Sequence, residues 1–90
     1  MKEIRINNVT DFMCALIDEL TKNSFIGVEI SNDYREREES YLFTVTAGKK
    51  RKKYILSFSV NENYLDYNTI EMIVNWFLKK EMLKRWWNES

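Results

Sequence analysis

Five consecutive cations, Lys49-Lys50-Arg51-Lys52-Lys53, are the densest run of chemistry-bearing residues in the sequence. Ammonium and guanidinium groups bind phosphate and carboxylate oxygens. Neutralising phosphates releases condensed counterions, which gives an affinity that falls with salt and reads no base sequence. The bland alternative is a charged turn that keeps the protein in solution, and the third is contact with an acidic protein surface. Like charges crowded at one turn repel, which is relieved by an anion. A second concentration is aromatic: Trp76, Trp86 and Trp87, with Leu83, lie among Lys79, Lys80, Lys84 and Arg85. Large aromatics dominate interface energetics, and a basic surface carrying indoles also suits stacking on bases. Trp76 reads first as core wrapped around a sheet edge; Trp86 and Trp87 read first as partner or self-association contacts.

Groups that activate a substrate are scarce. Histidine is absent, which removes the commonest general base and the commonest metal ligand. One cysteine, Cys14, makes neither an internal disulfide nor a thiolate metal site. Helical spacing puts it ~140° from the apolar face of its helix, as a free, partly exposed thiol. The only glycines are Gly27 and Gly48, so no phosphate-binding glycine loop or nucleophile elbow is present. Asp18 and Glu19 belong to a solvated helix face. The expectation is a protein that is not an enzyme, with no catalytic residue, no metal and no cofactor.

The elements that must position these residues follow from hydropathy. Tyr41–Val60 predicts a long β-hairpin carrying the cations at its tip. Tyr41, Phe43 and Val45 share one strand face, as do Tyr54, Leu56, Phe58 and Val60; Thr44, Thr46, Ser57 and Ser59 take the other. Large residues are odd-numbered before the turn and even-numbered after it, so the loop has even length. Pairing Val45 with Tyr54 leaves a Lys49-Lys50 turn, and pairing Val45 with Leu56 leaves Lys50-Arg51. Neither is the Asn-Gly or Asp-Gly that a type I′ turn prefers. A two-stranded ribbon of this kind is also able to enter a DNA major groove.

Lys2–Ile6 alternates and predicts a short strand. Asn8 is a good N-cap for a helix whose Val9, Phe12, Met13, Leu16, Ile17 and Leu20 form one face, ending near Lys22-Asn23. Phe25–Ser31 predicts a strand with Ile26, Val28 and Ile30 inward. Asn32–Ser40, with charges of nearly alternating sign, predicts a solvated loop, with extended strand ends as the alternative. A second helix starts at Asp66 or Asn68. Its first stripe is Ile70, Ile73, Val74 and Phe77, while Trp76, Leu83 and Trp87 lie ~90–130° away from that stripe. The fold class is therefore α+β with two layers: an antiparallel sheet in the order β-α-β-β-β-α, both helices on one face. Phe12, Leu16, Phe43, Phe58 and Phe77 are the expected central core.

Ninety residues predict one small domain, 1–90. The formal net charge is zero, but residues 1–47 hold five basic and nine acidic side chains and residues 48–90 hold nine and five. No apolar stretch approaches the roughly 18 residues of a membrane span, and no signal peptide opens the chain, so a cytoplasmic protein without membrane contact is expected.

From the first helix onward, the order α-β-β-β-α resembles that of the double-stranded-RNA-binding domain. That family grips phosphates with lysines at the start of its second helix, where this sequence has Asp66, Tyr67, Asn68, Thr69, Ile70 and Glu71; no site is carried over. In size and in its Asn, Lys and Ile content the chain is also similar in character to phage and mobile-element accessory proteins, including the anti-CRISPR class. That resemblance implies a non-catalytic interaction protein that binds and modulates a macromolecular partner, such as an inhibitor of a host nuclease or defence complex. The partner would be a protein or nucleoprotein. Two alternatives stand beside this reading: a small nucleic-acid-binding module using the hairpin tip for phosphate contacts, and a structural subunit of a homo-oligomer, such as a homodimer through the second helix.

Overall fold

The computed structural model describes the backbone of residues 6–89 and the side chains of residues 6–83. Helix α1 spans Val9–Lys22, and strands β1, β2 and β3 span Ile26–Arg35, Ser40–Lys49 and Lys52–Asn61. Helix α2 spans Tyr67–Glu89, and single 3-10 turns occupy Glu36–Glu38 and Glu62–Tyr64. The strands form one antiparallel sheet in the order β1-β2-β3, an α+β fold. The strand expected over Lys2–Ile6 lies, apart from Ile6, outside the described residues.

Helix α1 begins where its cap requires. The Asp11 amide donates to Asn8 Oδ1 at 2.9 Å, and the Asn7 amide donates back to Asp11 Oδ2 at 3.1 Å, so two amides without a helical partner are satisfied. The helix ends in a Schellman arrangement. Ser24, with φ 72°, turns the chain so that the Phe25 amide donates to the Leu20 carbonyl at 3.0 Å and the Ser24 amide to Thr21 at 3.0 Å. Phe12, Ala15, Leu16 and Leu20 are buried, while Ile17 is exposed. The buried face is thus centred nearer Ala15 than the larger side chains suggest. Helix α2 is capped by Asp66, whose Oδ1 accepts from the Thr69 amide at 3.0 Å.

Both helices lay their apolar faces on the same side of the sheet. Phe12, Leu16 and Leu20 from α1 and Ile70, Ile73, Val74 and Phe77 from α2 share one core with Phe43, Val45, Ala47, Tyr54 and Val60. Burial of each large side chain contributes ~1.5–3 kcal/mol before entropy is counted. Of the expected central residues, Phe12, Leu16, Phe43 and Phe77 are fully buried. Phe58 is only half-buried; among the described residues β3 is an edge strand with no strand on its outer flank.

Two features of β1 differ from expectation. Ile26 is 69% exposed, and Phe25 is buried in its place. Gly27 sits at φ 60°, and the register slips between Ile26 and Glu29. This bulge turns Ile26 onto the open face opposite Gly48. The strand end is also long: Asn32–Arg35 continues β1, with Asn32 opposite Phe43 and Arg35 opposite Ser40, and the loop shrinks to residues 36–39. Pairing with β2 overrides its polar composition, since Asp33 and Arg35 lie on the uncovered face, where charge costs nothing.

Candidate functional site

The β2–β3 register sets Lys49 opposite Lys52, Gly48 opposite Lys53 and Val45 opposite Leu56, which leaves Lys50-Arg51 as the turn. Both residues take left-handed conformations, with φ 52° and 69°. This is the type I′ geometry, whose twist matches that of the flanking strands. An L-residue other than glycine costs ~1–2 kcal/mol in this region. Gly48 allows the hairpin to close against β1: a Cβ there would lie 3.3 Å from the Lys52 carbonyl oxygen and 3.4 Å from that of Ile26.

The five cations do not act alike. Lys49 has the parity of Ala47 and Val45, so it points to the helix side. Its Nζ donates to the Asn23 carbonyl at 3.0 Å and lies 4.8 Å from the centroid of the Phe25 ring. It therefore caps the C-terminus of α1 and covers a buried aromatic, a structural task. Lys50, Arg51, Lys52 and Lys53 make no ion pair among the described residues, and Lys50–Lys53 are all exposed. A shallow groove of about 340 Å³ runs beside the turn, lined by Ile26, Glu29, Gly48, Arg51, Lys52 and Lys53. Among the described residues that line it, one carboxylate, Glu29, faces four cations, Lys49 included.

The surroundings of the tip limit what it does. Strand β1 pairs with β2 up to Ile26↔Gly48, so only the Lys49↔Lys52 pair and the turn extend beyond a three-stranded sheet. At ~3.3 Å per residue this is ~7 Å of free ribbon. A B-DNA major groove is about 8.5 Å deep and 12 Å wide and admits two strands. Insertion to that depth would bring β1 and the end of α1, held to the hairpin by Lys49, against the groove walls.

The opposite end of the sheet is acidic. Asp33, Glu36, Glu38, Glu39 and Glu62 gather around Arg35 and Arg37 in the sequence joining β1 to β2 and following β3. The Tyr34 and Tyr41 rings meet there at 4.8 Å, tilted by 51°. Partial burial, followed by the negative charge of Glu62, holds the Tyr34 hydroxyl above its ordinary range. The charge asymmetry between the halves of the sequence thus becomes a separation along the strands, cations at one end of the hairpin and carboxylates at the other.

On α2, Trp76 is half-buried, edge-on to Phe77 at 5.0 Å, with Lys80 Nζ 5.5 Å from its ring centroid. Met72 and Leu83 are 71% and 55% exposed. Trp86 and Trp87 belong to the helix, but their side chains lie outside the described residues. Among the described residues no three of Cys, Asp and Glu converge to hold a metal ion, Cys14 is an exposed free thiol, and no helix is long and apolar enough to cross a membrane. The sequence did not single out the β3 edge or the loss of Lys49 to the fold; parity alone could have placed Lys49 on the helix side.

No protein-family profile, curated protein or solved structure matches the chain.

Proposed function

We propose that the protein is a non-catalytic binding module that modulates a macromolecular partner, with the Lys50–Lys53 turn contacting an anionic surface on that partner. One observation carries this reading. Two cations occupy left-handed positions where Asn-Gly would be more stable, and four cations there have no counter-ion among the described residues. Residues that work against the stability of their own turn are explained by a role outside it. A nucleoprotein, such as the host nuclease complexes that phage accessory inhibitors engage, presents exposed phosphate oxygens to such a turn. A free nucleic acid is the second reading, favoured by the same four cations, and the flush geometry then restricts it to backbone contact without base readout.

The test is capture of partners from host extract, followed by titration with salt. Replacing Lys50, Arg51, Lys52 and Lys53 by Gln is expected to abolish binding, and the wild-type affinity is expected to fall steeply with salt. Binding of protein-free nucleic acid with a slope of about −0.9 per phosphate neutralised would support the second reading. Binding that survives the four substitutions and is lost on Trp86→Ala or Trp87→Ala would refute the assignment to the tip.

A further inference from the structure

The outer edge of β3 is built to accept a strand. In a two-residue hairpin the residues flanking the turn exchange both backbone hydrogen bonds, and bonded and non-bonded pairs then alternate. Counting from Lys49↔Lys52, the bonded positions of β3 are Lys52, Tyr54, Leu56, Phe58 and Val60. The amides and carbonyls of Lys53, Ile55, Ser57 and Ser59 therefore point away from β2, and none of them bonds another described residue. The close approach of Thr44 Oγ1 and Ser57 Oγ, 3.1 Å, agrees with a non-bonded pair there.

Proteins blunt free edges with bulges, prolines and charges. The edge of β1 is blunted in this way: it carries the Gly27 bulge and Glu29, Asp33 and Arg35. The β3 run from Tyr54 to Val60 has no charge, no proline and no break in register. Its apolar flanks are also incompletely covered. Leu56 and Phe58 are half-buried, and Ile55 is 60% exposed. Above the edge, α2 presents its bare flank. Helix α1 lies against β1 and meets α2 on the side of Glu71, Val74 and Asn75. At 100° per residue, Trp76, Lys80 and Leu83 face the other way, over the β3 side.

We propose that β3 pairs antiparallel with β3 of a second copy, forming a twofold dimer with a continuous six-stranded sheet and all helices on one face. The occupant is identified by charge. Strand β3 has cations at its start and Glu62 just past its end, so antiparallel pairing with itself sets each basic end against an acidic one. A twofold axis normal to the sheet requires opposed residues of equal parity. Centred on Ser57, the register places Leu56 against the partner's Phe58 and Tyr54 against the partner's Val60, and it brings Lys52 beside the turn that the partner's Glu62 opens, where that carboxylate lies 3.5 Å from the Tyr34 hydroxyl of its own copy. Apolar side chains then oppose apolar ones on the helix side. The two hairpin tips lie ~40 Å apart at opposite ends of the sheet, so the dimer presents two anion contacts.

Sedimentation equilibrium and amide exchange of the full chain test this. A concentration-dependent dimer is expected, with the Ile55, Ser57 and Ser59 amides gaining protection as it forms and those of Leu56 and Phe58 already protected. Ser57→Pro removes an outward amide that β2 does not use, so the circular dichroism should persist and the dimer should be lost. Should that variant misfold, Ser57→Lys, which sets two ammonium groups face to face at the axis, must disperse the dimer instead. Lys52→Glu should weaken association and Lys52→Glu with Glu62→Lys should restore it. A monomer at every concentration overturns the proposal. So does a dimer that tolerates Ser57→Pro or Ser57→Lys but is dispersed by Met72→Glu or Leu83→Glu, which would place the interface on α2.

Discussion

Replacing Lys50-Arg51 by Asn-Gly should make the protein more stable and a poorer binder at once. Arg51 at φ 69° is strained by ~1–2 kcal/mol relative to glycine. Glycine returns ~0.5–1 kcal/mol of that through the greater freedom of its unfolded chain. Asparagine tolerates the left-handed region better than lysine, for a gain of a few tenths of a kcal/mol. Removing two of five adjacent cations relieves repulsion that, at ~6 Å in water, is below ~1 kcal/mol per pair and screened by salt. The net expectation is a gain of ~1–2 kcal/mol, or ~5–15 °C in Tm for a domain of this size. Urea unfolding at low protein concentration and moderate salt is the assay, read as a rise in midpoint at unchanged slope. The control is Lys50→Ala with Arg51→Ala, which removes the same charges and leaves both backbone angles unfavourable. Both variants should lose affinity for the anionic partner together. If the alanine pair is as stable as Asn-Gly, backbone strain is not what opposes this turn and the argument from it fails.

Three further outcomes follow from individual contacts. Lys49→Met should cost ~1–2 kcal/mol in urea unfolding, because the carbonyl at the end of α1 and the Phe25 ring lose their cation, whereas Lys50→Gln or Lys53→Gln should change stability by less than ~0.5 kcal/mol. Gly27→Ala should destabilise by ~1–2 kcal/mol purely through its positive φ, since no atom lies within 4 Å of the added Cβ. The Tyr54 hydroxyl is held above its ordinary range by burial first and by the charge of Glu81 second. A raised folded value means that the unfolded chain releases its proton first, so this contribution is complete below pH ~10 and lost as the pH rises beyond it. Unfolding followed between neutral and strongly alkaline pH should show that loss, and Tyr54→Phe should flatten it.

Local chemistry made much of the architecture legible in advance. Asn8 and Asp66 cap the two helices because their side chains accept amide bonds from the first turn, although at the second helix the sequence also offered Asn68. Parity before and after the cationic run placed Phe43 and Phe58 on one sheet face and the hydroxyl residues on the other, and it required a loop of even length, but it did not choose between a two-residue turn and a longer loop or bulge at Gly48. Failures arose where distant strands decide. Asn32–Arg35 is polar enough for a loop and becomes strand because β2 lies beside it. Ile26 leaves the core because Gly27 takes a conformation open to glycine; the slip there exchanges Phe25 for Ile26, while Val28 and Ile30 pack on the core as their alternation predicts.

The identity of the cationic residues, the absence of histidine and the two-layer fold class were all determined by the order of amino acids, since each depends on residue type or on spacing within one element. Tertiary structure decided which cations are available. Lys49 is drawn into the fold by the end of α1, 26 residues away in sequence. It also decided that β1 flanks the hairpin almost to its tip and that β3 is left at the edge. Those outcomes depend on which strands become neighbours, and neighbours in a sheet are chosen by contacts between segments that no window of local sequence contains.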